Sequence, residues 1–296
     1  MLRYNRLKGS ELYVSNLALG LWGISSWDPK CGQLSQKELV DYALKNGINF
    51  FDTAFVYGNG NSECQLNDVS NKAVISTKVP SQSKDYLNKQ PKDCYPLDFM
   101  QDCIDVSIQR LNSNCIDILH LHNWNPQWTN SESRYIFEYI EELKNTQTIK
   151  SFGISLPKLN TYSIEDFSML ARENMVDCLQ VHYNLIDQES EKLIQYFINN
   201  KKSVFIKSPY KHGLIGKSLS ELDSLEEYDF RKKRFTKQEF NDIKEELLEK
   251  SKRYNVRIKD LDKVTLRDCN ATGATCIIVG MRDLETITRN LESITE

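Results

Sequence analysis

SQKELVDYALKNGINFFD, residues 35–52, holds a helix and a strand with almost nothing between them. Ser35 can cap a helix whose apolar residues recur at helical spacing, and Gly47 ends it. A short apolar strand, Asn49 to Asp52, follows at once. The same unit recurs along the chain. Strands are expected at Asn16–Leu21, Asn49–Asp52, Ala73–Lys78, Ile116–Leu121, Ser151–Ser155, Cys178–Tyr183, Ser203–Lys207 and Cys276–Gly280. Between them lie helical patterns such as PLDFMQDCIDVSIQRLN, with Pro96 in a favourable first-turn position, EDFSMLAREN and DQESEKLIQYFINN. Eight strands that are apolar rather than alternating, each followed by a helix, call for a parallel sheet covered all round, a (β/α)8 barrel. An open doubly wound sheet would carry a GxGxxG turn after its first strand, and LALGLWGISS is not one. Without an internal repeat or a low-complexity linker, residues 1–296 read as a single domain. A charged insertion at about 216–259 is expected to lay a loop and a helix over one end of the barrel.

Composition narrows the partners. The 296 residues carry a formal net charge of -3 and a sequence pI near 5.9, with no basic stripe, which argues against nucleic acid. RKKRF, Arg231 to Phe235, is flanked by acids and reads as a solvated loop. No apolar run approaches the roughly 20 residues that span a bilayer. MLRYNRLKGSEL at the start has no hydrophobic core, so no signal peptide is expected and the cytoplasm is the expected location. The eight cysteines form no CxxC pair and read as reduced thiols, with no metal site.

In such a barrel the chemistry lies at the C-terminal ends of the strands. Asp52 ends the second strand, Tyr57 follows it in the loop of FFDTAFVYGNGNSE, Lys78 ends the third and His122 the fourth. Each has an ordinary reading as a cap, surface or core residue. Their joint occurrence at consecutive strand ends points to a proton donor. A free phenol titrates at about 10. An ammonium against its oxygen stabilises phenolate, and a buried carboxylate keeps that ammonium charged. A neutral imidazole opposite can orient a carbonyl oxygen, so Tyr57 reads as the general acid of a carbonyl reduction.

GINFFDTAFVYGNGNSE, VISTK, SIQRLNSNCIDILHLHN, SFGIS, LQVHYNLID, SPYKHGLIGK and IIVGMRDLETITRNL together resemble the aldo-keto reductases, in order and over nearly the full chain. The resemblance implies an NADPH-dependent oxidoreductase, NADH being the other candidate, acting on a small-molecule aldehyde, ketone or sugar-like carbonyl. It implies an Asp-Tyr-Lys-His tetrad at Asp52, Tyr57, Lys78 and His122, with His120 one step deeper and structural. It also implies cofactor contacts. Ser155 and Gln180 would hold the carboxamide, and Lys207, Ser208 and Pro209 would pass beneath nicotinamide and pyrophosphate. Leu21, Trp22 and Asp52 would line the mouth, Gly280 and Arg282 would receive the adenosine end, with Arg282 on a 2′-phosphate, and Asn290 would sit near the adenine. The chain departs from the family pattern at Leu156, where Asn is usual, at Lys207, where an aromatic often stacks, and at Thr286 and Arg289. The segment from Glu63 to Ala73 is short, so the second helix is expected to be truncated.

Two other readings are compatible with parts of the pattern. One is a reductase-like, nucleotide-binding regulatory or interaction protein, which would not need all four groups. The other is a metal-dependent hydrolase using HLH, for which four histidines offer few further ligands. SSWDP and NWNPQW are the expected specificity loops, and Trp22, Trp124 and Trp128 could wall a pocket or simply pack. Oligomeric state is not legible.

Overall fold

In the computed structural model, which describes residues 2–25, 35–128, 130–172, 175–225 and 229–295, every expected apolar run is a strand. An antiparallel hairpin comes first, β1 (Tyr4–Arg6) with β2 (Tyr13–Ser15). Then come β3 (Leu17–Gly20), β4 (Phe50–Asp52), β5 (Val74–Val79), β6 (Ile116–Leu121), β7 (Ile149–Ser155), β8 (Cys178–His182), β9 (Ser203–Lys207) and β10 (Cys276–Val279). These eight close into one barrel in the order β10-β3-β4-β5-β6-β7-β8-β9, and each neighbouring pair is parallel. The fold is a (β/α)8 barrel.

The opening helix–strand unit forms as its sequence dictates. Ser35 Oγ accepts from Glu38 N–H while the Glu38 carboxylate accepts from Ser35 N–H, a capping box on the helix Gln36–Lys45. Gly47 stops it with φ +90°. Asn16, expected in the first barrel strand, instead exchanges hydrogen bonds with Arg3 and belongs to the hairpin connection. The second helix is indeed short, Asn61–Cys64.

Side chains alternate in and out along each strand. Phe51 packs outward with the helices, whereas Phe50 points into the barrel with Ala18, Val74, Ile118, Cys178, Phe205, Cys276 and Ile278. Gly153 is needed in this layer: a Cβ there would lie 2.4 Å from Cys178 Sγ and 2.8 Å from the His120 ring. Leu7 and Val14 of the hairpin close the N-terminal end of the same cluster, and Lys8 N–H bonds Ser203 Oγ at 2.9 Å. That hairpin was not expected from the sequence, because YNR and YVS are too short and polar to show a strand pattern.

The insertion corrects a second expectation. Among the described residues it holds three helices rather than one, Leu219–Asp223, Phe230–Arg234 and Lys237–Tyr254. Capping boxes at Ser218/Glu221 and Thr236/Glu239 start the first and third, and both were readable as S/T-x-x-E. Leu222, Ile243 and Leu247 build a satellite core with Leu185, Leu214, Ile215 and Leu261. No described helix is long and apolar enough to cross a membrane.

Leu7 is 1% exposed, so Leu7→Ala should cost about 2–5 kcal/mol in urea denaturation. A loss below about 0.5 kcal/mol would contradict the plug.

Candidate active site

The inward phase that is apolar deep in the barrel turns polar at its C-terminal end. Counting two residues on from Phe50, Ser76, His120, Gly153, Cys178 and Phe205 gives Asp52, Lys78, His122, Ser155, Gln180 and Lys207. Six residues the sequence singled out therefore point into one mouth. His182 on β8 shares that phase, and its alternation with Gln180 was the available signal.

Hydrogen bonds tie most of this layer together. Lys78 Nζ donates to Asp52 Oδ1 and Oδ2, both at 2.8 Å, and to Thr53 O at 2.6 Å, which uses all three of its protons. Gln180 Nε2 donates to Asp52 Oδ1 at 2.8 Å. Ser155 Oγ donates to Gln180 Oε1 at 2.8 Å, and Lys207 Nζ to Ser155 Oγ at 2.8 Å. The chain of donors runs from Lys207 to Asp52 without a break. His120 lies one layer deeper, its Nδ1 3.1 Å from Ser76 Oγ and its Nε2 3.5 Å from Cys178 Sγ.

Tyr57 reaches this layer from the turn Tyr57–Gly60. Gly58, Asn59 and Gly60 all have positive φ, and a Cβ on Gly60 would lie 2.2 Å from Arg110 Cζ. Arg110 clasps the turn: its Nη1 donates to Phe55 O at 3.1 Å and to Glu63 Oε2 at 2.9 Å. Glu63 is fully buried and also accepts from Thr77 Oγ1 at 2.6 Å and Ser107 Oγ at 2.7 Å. The Lys78 ammonium lies 5.3 Å from the centre of the Tyr57 ring, and the His122 ring stands edge-on to it at 5.8 Å. Lys78 thus faces the ring rather than bonding the phenol oxygen, which differs from the expected arrangement.

Burial dominates the electrostatics. It pushes the Tyr57 phenol well above its ordinary value, and the Asp52 carboxylate pushes it the same way. Burial pulls Lys78 down against the attraction of Asp52. His122 is driven well below the imidazole range by burial, then by Lys78 and Lys207, and is neutral. Lys207 falls to about 7, through burial and then repulsion by Lys78, with Asp52 opposing.

A family model described as Aldo/keto reductase family matches residues 16–296. The chain belongs to that family. It is 29% identical to an aldo-keto reductase of Alternaria alternata, over 65% of this chain, and spans 61% of that relative's length. It is 25% identical to the NADH-specific methylglyoxal reductase of Escherichia coli (strain K12), over 70% of this chain and 67% of that protein. An aldo-keto reductase from Bacillus halodurans, solved in its holo form, has the same fold. It covers 100% of this chain with 92% of its own, at a TM-score of 0.74 and 19% identity.

Of the other candidate residues of this aldo-keto reductase, Leu21 donates its N–H to Asp52 O at 2.9 Å. Leu21 turns its side chain into the strand–helix core, so only its backbone faces the mouth. Trp22 is half-buried and edge-on to Phe230 of the insertion at 5.6 Å. Ser208 adopts φ +55° and Pro209 is buried. Arg282 packs its guanidinium against Gly23, 3.2 Å from where a Cβ would be, and Gly280 follows β10. Asn290 Oδ1 accepts from Tyr210 Oη at 2.5 Å, while its buried Nδ2 has no partner among the described residues. Arg289 makes a two-point ion pair with Asp262, at 2.6 and 2.8 Å. Trp124 and Trp128 are packing residues: both are buried in the outer core, and Trp128 Nε1 bonds Lys89 O at 2.8 Å. Residues 26–29 of the expected loop SSWDP lie outside the described residues.

Glu63→Ala leaves Arg110 uncompensated beneath the Tyr57 turn, so stability should fall by about 3–5 kcal/mol. A fall of less than about 1 kcal/mol in urea denaturation would show that the clasp does not hold the turn.

Proposed function

We propose that the protein reduces the carbonyl of an aldehyde, ketone or sugar-like compound with NADPH, and that Tyr57 protonates the oxygen. The observation that carries this reading is the unbroken run of contacts from Asp52 through Lys78 and Tyr57 to His122 at the barrel mouth. A pure binding role would need none of that arrangement, so the interaction-protein alternative gains nothing from it.

The residues fit a dinucleotide. Asn290 Nδ2 is a donor without an acceptor among the described residues, as an adenine contact would supply. Arg282 presents a guanidinium that matches phosphate at two points. Ser155 and Gln180 would hold the carboxamide, Lys207, Ser208 and Pro209 would lie beneath the ring and pyrophosphate, and Leu21, Trp22 and Gly280 would border them. When bound, the nicotinamide supplies hydride to the carbonyl carbon.

The protein's share is orientation and a proton. A phenol pushed up by burial keeps its proton until negative charge develops on the substrate oxygen. The Lys78 ammonium across the ring then stabilises the phenolate left behind. Asp52 fixes that ammonium in place. His122, neutral, hydrogen-bonds the same oxygen and does not compete as the acid.

Tyr57→Phe should lower turnover of NADPH with 4-nitrobenzaldehyde by at least about 100-fold. NADPH binding, read by fluorescence quenching, should be nearly unchanged. A variant that keeps most of its activity would rule out the proton-donor role. Arg282→Ala should weaken NADPH roughly tenfold and NADH little. Equal losses for both would place the 2′-phosphate elsewhere.

A further inference from the structure

Two lysines, Lys78 buried and Lys207 half-buried, face one carboxylate at the mouth of this barrel. Lys78 takes both oxygens of Asp52. Lys207, inward-facing at the end of β9, donates to the Ser155 hydroxyl at 2.8 Å and forms no ion pair with any carboxylate among the described residues. Its charge is therefore set against that of Lys78, with Asp52 reached only through Ser155 and Gln180. An ammonium so placed holds its proton weakly, in keeping with its fall to about 7.

We propose that the charge on Lys207 makes the site discriminate between the oxidised, cationic nicotinamide and the reduced, neutral one, and that the discrimination fades as Lys207 loses its proton. The inference rests on the cofactor reading above. Lys207 touches the hydroxyl to which that reading gives the ring's amide, so a positive ring meets the ammonium there. The neutral ring does not. Protonated Lys207 thus favours the reduced form and hastens release of the oxidised one. By reciprocity, the oxidised form drives the proton off Lys207.

The histidines facing Lys207 do not titrate in the same window. His120 on β6, His122 just beyond its end and His182 on β8 are pushed well below the imidazole range by burial and stay neutral. Asp52 on β4 and Lys78 on β5 remain locked to each other. Beyond His182, His212 is held down at about 3 by burial. The phosphates are common to both nucleotide forms and cancel in a ratio of affinities.

The test is the ratio of the dissociation constants of NADP+ and NADPH, by calorimetry on the full chain at about pH 6 and about pH 8.5. For the wild type this ratio should fall roughly tenfold from the lower to the higher pH. Lys207→Met should hold it at the high-pH value at both points. Lys207→Arg, which keeps its charge, should hold it at the low-pH value. A wild-type ratio that does not move, or one that moves equally in either variant, overturns the inference while leaving the cofactor reading intact. Failure of the wild type to bind either nucleotide overturns the cofactor reading, and this inference with it.

Discussion

The Lys78 side chain is wholly buried, and Asp52 meets its ammonium with both carboxylate oxygens. Neither charge would be tolerable alone in that place, since breaking a buried pair costs about 3–5 kcal/mol. The strands make the meeting possible: β4 and β5 are neighbours in register at Asp52 and Ser76, so Lys78, two residues on, reaches back over the carboxylate. Thr53 O takes the remaining proton. With every donor engaged the ammonium cannot swing, and it presents one fixed charge to the Tyr57 ring. The same carboxylate accepts from Gln180, which orders Ser155 and then Lys207.

Tyr57 must be exact in position yet lies outside the strands. A second ion pair, with its carboxylate buried, solves this. Glu63 and Arg110, with the left-handed run from Gly58 to Gly60, hold the turn as firmly as a strand would. The two ion pairs divide the work, one setting the charge beneath the phenol and the other setting where the phenol is. In each the carboxylate lies out of water and takes further donors, Gln180 on Asp52 and Thr77 and Ser107 on Glu63.

Much of this was legible in the residues. Apolar runs bounded by helix caps located all eight barrel strands, and the rule that chemistry sits at strand C-termini selected Asp52, Lys78 and His122. Tyr57 came from its place in a glycine-rich turn. Two of the missed features, the hairpin and the burial of Glu63, depend on contacts distant in sequence. The β1–β2 hairpin has no apolar run of its own and exists because Leu7 and Val14 close the barrel. Glu63 stood in the quoted motif, but only Arg110, 47 positions away, reveals why it is buried. Trp124 and Trp128 offered two readings until packing decided between them. The facing of Lys78 toward the ring, rather than the phenol oxygen, followed from where its protons were already spent.

The account is tested most directly by a crystal structure of the protein with a bound nicotinamide dinucleotide. It predicts the ring's amide on Ser155 and Gln180, with Tyr57 Oη and a His122 ring nitrogen converging on a single space beside the ring. A dinucleotide seated away from the barrel mouth, or a phenol and imidazole directed at different spaces, would contradict it.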